Sequence, residues 1–178
     1  MKKNNIVLIG MPGCGKSFVC NKLAEKLPDY IPVDTDCVIE KTQGMSITEI
    51  FSKYSEDYFR KLEYDTIKLV CTGESKIISV GGGAFENPDT RCTLLNFGTV
   101  FYLKSDIDVL YYRILQNSNR PLLNCKNPRE TLAKLLKARE NNYQKAHYII
   151  DTGALLIEEV VDFILGNINE TNTSCKCK

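Results

Sequence analysis

A phosphate-binding loop near the N-terminus restricts the folds open to this chain. Residues 10–17, GMPGCGKS, match the pattern G-x-x-x-x-G-K-[ST] in full. Such a loop works between a strand and a helix, because its glycines let backbone N–H groups converge on phosphate oxygens at a helix N-terminus. Residues 6–9 form a short apolar run, and residues 18–27 carry apolar side chains at helical spacing. The alternative, a glycine-rich turn before a helix, does not require the full motif.

The rest of the chain alternates short apolar runs with helical patterns. Predicted strands cover residues 6–9, 31–34, 76–80, 99–103 and 148–150. Predicted helices cover residues 18–27, 46–54, 56–72, about ten residues from Asn87, 106–115, 128–143 and 156–165. This alternation predicts an α/β fold, a five-stranded parallel sheet in a three-layer α/β/α arrangement, and we expect one domain over residues 1–178.

Within the phosphate loop, the motif assigns Lys16 to the β- and γ-phosphates and the Ser17 hydroxyl to Mg²⁺. Cys14 lies inside the loop, where a helix N-terminus can lower a thiol pKa. The sequence leaves two readings of Cys14 open, a reactive thiol or a small packing residue.

Two further polar features follow predicted strands. Asp34 and Asp36 come after the second strand, and Gly81-Gly82-Gly83 closes the third. Ligands of such sheets bind at the carboxyl ends of the strands, so we expect these residues near the phosphate loop. If the segment from Asp34 stays extended, both carboxylates point the same way; one could hold Mg²⁺ through water and the other accept a hydroxyl proton. A solvated aspartate-rich turn is the alternative.

Two pairs of side chains have helical spacing. Arg60 and Glu63 are three residues apart, which is typical of a surface ion pair. Arg139 and Tyr143 are four apart, which predicts a cation–aromatic contact on a helix surface.

A polar stretch separates two of the predicted helices. Residues 116–127 contain Arg120 and are a candidate mobile lid that brings this arginine to the phosphates on closure. The single histidine, His147, precedes the last strand, and we interpret it as structural.

Composition excludes several classes of protein. The net charge of +1 gives no strong attraction to nucleic acid, and no apolar run approaches the roughly 20 residues that span a bilayer. Eight cysteines without a secretory context predict free thiols. We therefore expect a cytoplasmic protein, and the lack of a long apolar stripe favours a monomer.

Together these motifs resemble the shikimate kinase family over about residues 6–152. The resemblance includes the phosphate loop, the aspartate pair, the segment from Phe59 to Glu63, the triple glycine and the arginines. Its matching arginines are Arg60, Arg113, Arg120 and Arg139. Singly, only the phosphate loop is specific, whereas the set in this order and spacing is strongly diagnostic.

The resemblance implies a Mg²⁺-dependent transfer of the γ-phosphoryl group of ATP to the 3-hydroxyl of shikimate. It implies catalytic roles for Lys16, Asp36 as the base, and the lid residue Arg120. The implied ATP site comprises Gly13, Cys14, Gly15, Lys16, Ser17, Phe18, Arg113 and Arg120. The implied shikimate site, within a helical region at about 34–63 and beyond it, comprises Asp34, Asp36, Phe51, Phe59, Arg60, Glu63, Gly81, Gly82, Gly83 and Arg139. Ser17 and Asp34 would hold the metal.

Other functions share some of these features. A gluconate or nucleoside monophosphate kinase has the same loop, although two aspartates would repel a phosphorylated acceptor. A non-catalytic nucleotide-binding protein is the third option, and the presence of Lys16, Asp36 and the lid arginine argues against it.

Overall fold

The computed structural model describes residues 5–116 and 127–168. Five parallel strands form one sheet in the order β2-β3-β1-β4-β5. The strands are β1 Ile6–Ile9, β2 Ile31–Asp34, β3 Lys76–Ser79, β4 Thr99–Lys104 and β5 Tyr148–Asp151. The α/β fold with its five-stranded parallel sheet is therefore confirmed.

Eight α-helices flank this sheet in the described part of the chain, together with a short 3-10 turn at Ala84–Glu86. The helices are α1 Lys16–Lys26, α2 Thr35–Gln43, α3 Ile47–Lys53, α4 Glu56–Val70, α5 Pro88–Phe97, α6 Ile107–Leu115, α7 Pro128–Tyr143 and α8 Ile157–Asn167. The seven predicted helices are confirmed to within about two residues at each end. Helix α3 begins with a capping box formed by Ser46 and Glu49.

Helix α2 was not predicted, and it corrects the expectation that the segment after Asp34 stays extended. The Asp34 carboxylate accepts hydrogen bonds from the backbone amides of Asp36 and Cys37, at 3.0 and 3.3 Å. Asp34 is thus the N-cap, and a capped amide favours helix over strand. The two carboxylates consequently project from a helix start and not from one face of a strand.

The core forms around the central strand β1, whose four residues are all fully buried. Helix α1 packs against β3 and α8. A second apolar cluster of Ile39, Ile50 and Phe59 joins α2, α3 and α4. This cluster fixes the three helices as a unit, and the first turn of α2 begins where β2 ends.

The sequence also predicts a lid and no membrane-spanning segment. Residues 117–126, which contain most of the proposed lid and Arg120, lie outside the described residues. Among the helices within 5–116 and 127–168, none has the length and hydrophobicity that crossing a membrane requires.

Asn5 ties together the amino ends of the strands, opposite the phosphate loop. Its side chain is buried, and its amide nitrogen donates to the carbonyls of Gly73 and Phe97, both at 3.2 Å. Its amide oxygen accepts from the Lys76 backbone at 3.0 Å. Three backbone groups near the starts of β3 and β4 thus depend on one side chain.

Replacing Asn5 by Ala should lower the free energy of unfolding by about 2–4 kcal/mol, because three backbone groups lose the partner that one buried side chain supplies. Urea unfolding followed by circular dichroism measures this change. Asn167→Ala is the matched control, since that side chain makes one exposed bond to Phe163; it should shift stability by less than about 0.5 kcal/mol. Equal losses in the two variants would contradict the assigned role of Asn5.

Candidate active site

The phosphate loop owes its shape to glycines that no other residue could replace. Gly10 has φ +143°, and a Cβ there would lie 2.6 Å from the Leu103 carbonyl oxygen. Gly13 has φ +86°, and a Cβ there would lie 2.9 Å from the Ile114 side chain. Both positions combine a left-handed backbone with close packing, which only glycine tolerates. The loop is therefore held against β4 and α6 while its other side faces a cavity.

Lys16 and Cys14 take different positions in the loop. The Lys16 ammonium donates to the carbonyl oxygens of Gly10 and Met11, at 2.9 and 3.2 Å. Cys14 is only 1% exposed, and its sulfur lies under Gly10. The structure favours the packing reading of Cys14 over the reactive one. Lys16 is held at the rim of the loop, where it lines the cavity.

Ser17 and Asp34 meet at the start of α1. The Ser17 hydroxyl donates to the second carboxylate oxygen of Asp34 at 3.3 Å, while the first oxygen caps α2. Two hard oxygen ligands of this kind suit Mg²⁺, which takes one or two protein oxygens and completes its shell with water and phosphates. In the described parts of the chain, no cluster of three or more His, Cys, Asp or Glu side chains could hold a metal. The oxygens of Ser17 and Asp34 fit a metal that completes its shell with the phosphates of a nucleotide.

A cavity of about 790 Å³ extends from the loop along α6. Phe18 and Arg113 line it, and the Arg113 guanidinium donates to the Thr152 carbonyl at 3.0 Å. The Thr152 hydroxyl in turn bonds the Cys14 and Lys104 carbonyls. This volume suits a drug-sized or nucleotide-sized ligand. Asp34, Asp36 and Gly82 also line it, so the same cavity reaches the aspartates.

The triple glycine is the point at which the remaining predicted side chains converge. A Cβ on Gly81 would lie 2.7 Å from an Asp36 carboxylate oxygen and 2.8 Å from one of Glu63. A Cβ on Gly83 would collide with the Arg60 guanidinium. A Cβ on the middle glycine, Gly82, would lie 3.4 Å from the Arg139 guanidinium.

None of these three glycines has a positive φ, so the backbone conformation does not require glycine here. Glycine is needed because neighbouring side chains approach the backbone closely. The Gly81 amide donates to the Thr35 hydroxyl at 3.2 Å. This bond anchors the turn to the first residue of α2. Two carboxylates and two guanidinium groups are thereby gathered over a surface that carries no side chains.

The predicted Arg60–Glu63 surface pair is corrected by the structure, because one partner is buried. The Glu63 side chain is 4% exposed and accepts from Arg60 at 2.8 Å. Burial raises the pKa of Glu63 above its usual value near 4.5, although the Arg60 charge and hydrogen bond oppose that rise. On its outer side Arg60 also bonds Glu56, at 3.0 Å. The arginine is thus held in one orientation by two carboxylates.

Phe51 and Phe59 stand at the same end of the site, with ring centroids 4.6 Å apart. Phe59 is buried in the small helical cluster, whereas Phe51 is 40% exposed. The Arg60 guanidinium lies over the Phe59 ring at 5.4 Å. The two rings therefore form an apolar wall beside a cationic group.

The predicted surface contact of Arg139 with Tyr143 is wrong in its location. Tyr143 is 1% exposed, and its hydroxyl donates to the Gly82 carbonyl. The helical spacing was a correct signal of proximity, but spacing alone does not show which face of α7 packs inward. Thr35 and Thr152, which anchor the triple glycine and Arg113, gave no sequence signal because single threonines are common in any fold.

The structure confirms the prediction that His147 has a structural role. Its Nδ1 atom accepts a hydrogen bond from the Val100 amide at 2.9 Å, between the starts of β4 and β5. The site lies at the other end of these strands, so His147 is remote from it.

The arrangement can bind two ligands end to end. One end offers a phosphate loop, an ammonium group and a nucleotide-sized cavity. At the other end, Asp36 can bind a hydroxyl and two guanidinium groups can bind an anion. Arginine binds carboxylates in a bidentate geometry. The chemistry that joins these ends is phosphoryl transfer, which needs positioning and charge more than covalent help.

Comparison with known proteins gives consistent matches. The family description "Shikimate kinase" matches residues 12–169. The shikimate kinase of Thermodesulfovibrio yellowstonii is 42% identical over 161 residues, covering 90% of this chain and 92% of that protein. The shikimate kinase of Zymomonas mobilis is also 42% identical, covering 90% of each.

A solved structure agrees with the sequence matches. The shikimate kinase of Acinetobacter baumannii in complex with shikimate superimposes with a TM-score of 0.88 and 33% sequence identity, covering 96% of each chain. The agreement extends over nearly the whole length and therefore includes the strands and helices that position the site.

The buried position of Glu63 predicts an unusual pH dependence. The folded chain keeps a proton on Glu63 at pH values where the unfolded chain has lost it. Its contribution to stability should therefore fall as pH rises from about 4 through the raised pKa. In urea unfolding from pH 4 to 7, the stability of the original protein minus that of Glu63→Gln should decrease with pH.

Glu49→Gln is the matched control, and its stability difference from the original protein should change with pH in the opposite direction. Hydrogen bonds from the Ser46 amide and hydroxyl hold the pKa of Glu49 below its usual value. Its contribution is present above that usual value and is lost as pH falls through the lowered pKa. A Glu63 difference that instead increased with pH would show that its ion pair outweighs burial.

Proposed function

The chain belongs to the shikimate kinase family, and from that premise we propose which of its residues perform the reaction. The reaction transfers the γ-phosphoryl group of ATP to the 3-hydroxyl of shikimate and releases shikimate 3-phosphate and ADP. The observation that supports these roles is the convergence of Asp36, Arg139 and Arg60 over the triple glycine, at the end of the nucleotide cavity.

Arg60 and Arg139 bind the carboxylate of shikimate. The Arg60 guanidinium lies over Gly83, and the Arg139 guanidinium lies 3.4 Å from a Cβ built on the neighbouring Gly82. Two guanidinium groups fix both the position and the plane of one carboxylate. Glu63 orients Arg60, while Phe51 and Phe59 form the wall of the ring pocket.

Asp36 binds the acceptor hydroxyl and takes its proton. As the proton leaves, the hydroxyl oxygen forms a bond to the γ-phosphorus, and the bond from that phosphorus to the β–γ bridging oxygen breaks. The electron pair stays with ADP. Because the transition state is loose, the main contribution of Asp36 is to hold the hydroxyl in line with the leaving group.

The donor end holds ATP at the phosphate loop, with Lys16 at the β- and γ-phosphates. The residues that contact ATP are Gly13, Cys14, Gly15, Ser17, Phe18 and Arg113. Arg113 lies against the base, held there by its bond to Thr152. Arg120 of the lid, outside the described residues, completes the charge around the γ-phosphate.

Mg²⁺ fits between Ser17 and Asp34, where it would neutralise phosphate charge. Asp34 is well suited because one oxygen is fixed by the α2 amides and the other faces Ser17. The cap thus sets the direction of the free lone pairs.

The proposal extends to the setting of the enzyme. Five described cysteines, including the exposed Cys37 and Cys92, are free thiols, which is usual in a reducing compartment. We place the enzyme in the cytoplasm as a monomer that acts on ATP and shikimate as small molecules.

A coupled ADP-release assay tests the acceptor. Turnover should occur with shikimate, and not with gluconate or nucleoside monophosphates. A phosphorylated acceptor would be repelled by Asp36 and Glu63, which face the same point. The methyl ester of shikimate is the matched control, since it keeps every hydroxyl. Its KM should rise by about 10- to 100-fold, as expected for lost charge-assisted bonds. Turnover only with a monophosphate would overturn the proposal.

Replacing Asp36 by Asn tests the proton acceptor. The amide keeps the shape but cannot accept the hydroxyl proton as a base, so kcat should fall by about 100-fold or more while ATP binding is retained. Steady-state kinetics and calorimetric titration of ATP provide the two measurements. Asp65→Asn on the exposed face of α4 is the control and should leave kcat unchanged. An unaltered kcat in Asp36→Asn would remove this residue from the mechanism.

A further inference from the structure

Tyr143, the last residue of α7, occupies the space beneath the two halves of the site. Its ring packs against Tyr102, with centroids 4.8 Å apart. Its hydroxyl donates to the Gly82 carbonyl and lies 3.8 Å from the Met11 sulfur of the phosphate loop. One phenol therefore contacts both the turn that carries the acceptor site and the loop that carries the donor site.

The same hydroxyl also faces Arg139, one helical turn earlier. Burial raises the pKa of Tyr143, while the charge of Arg139 and a hydrogen bond from it act in the opposite direction. The hydroxyl thus donates to Gly82 and interacts with the guanidinium through its oxygen. The Arg139 guanidinium also lies 3.4 Å from a Cβ built on Gly82. Each of the residues Arg139, Tyr143 and Gly82 therefore lies next to the other two.

Gly82 is the position at which donor and acceptor sites touch. A Cβ there would lie 3.1 Å from Pro12 and 3.4 Å from the Gly10 carbonyl, both in the phosphate loop. Gly82 also lines the nucleotide cavity. A rotation of the Gly82 peptide would consequently displace the turn beneath Arg139, whereas the phosphate loop is held separately, by Gly10 against β4 and by Gly13 against α6.

We propose that the Tyr143 hydroxyl is a positioning group that sets the Gly82 peptide and the Arg139 guanidinium for the carboxylate of the acceptor. This inference rests on the proposed function of Arg139. Packing alone does not need the hydroxyl, since phenylalanine has the same ring and would stack on Tyr102 equally well. The oxygen is needed to bridge a backbone carbonyl and a cationic side chain.

The hydroxyl should affect acceptor binding more than the other steps. Without it, the partly buried Gly82 carbonyl loses its donor and Arg139 loses a neighbour that limits its rotation. Neither group contacts the γ-phosphate in the proposed mechanism. The loss should therefore raise the KM for shikimate while the KM for ATP and kcat change little.

Tyr143→Phe tests this directly in the full-length protein. The KM for shikimate should rise about tenfold, the scale of one hydrogen bond, and the KM for ATP should stay within about twofold. An unchanged KM for shikimate would overturn the inference. The original protein is assayed alongside; its failure to use shikimate would contradict the proposed function, which is a separate result.

Tyr102→Phe is the matched control. It removes a buried hydroxyl from the neighbouring ring, but that hydroxyl donates to Glu140, at 2.7 Å, and not to the turn. It should lower stability and leave the KM for shikimate unchanged. Equal increases in KM for both variants would show a general packing effect and would also overturn the inference.

A second measurement keeps the Tyr143 hydroxyl in place. With 3-fluorotyrosine at position 143 alone, shikimate should shift the fluorine resonance of the otherwise unchanged protein. The same label at position 102 should shift less. A resonance at 143 that shikimate leaves in place would contradict the inference.

Discussion

The site depends on the absence of side chains at three consecutive positions after β3. Asp36, Arg60 and Arg139 come from three different helices, and each would clash with or crowd a Cβ on the turn beneath it. Opposite charges can then approach one small ligand from several directions, which strengthens their effect in a partly enclosed site. The turn is itself fixed by Thr35 and Tyr143, so its openness is a rigid feature.

Burial of charge is the second constraint. Glu63 is buried beside Arg60, and the cost of taking its charge out of water is only partly offset by the ion pair. The result is an arginine whose direction is fixed before any ligand arrives. A preorganised guanidinium loses less freedom on binding, which is the benefit of this costly arrangement.

Much of the fold follows from local sequence signals. The phosphate loop, the apolar runs and the proline at the start of α5 predicted five strands and seven of the eight described helices. Helix α2 was not predicted because its first turn, Thr35-Asp36-Cys37, has little apolar periodicity and depends on the Asp34 cap. The site residues were recognised as types, and their mutual distances were not predictable from spacing.

The sequence by itself determined the donor end of this protein, because a phosphate loop is contiguous and its conformation is encoded by its own glycines. It also supplied the acidic and basic residues of the acceptor end. Only the tertiary structure decided that Glu63 and Tyr143 are buried. These properties depend on which helix face packs against the sheet, and that choice is made by contacts between residues as far apart as Gly82 and Tyr143.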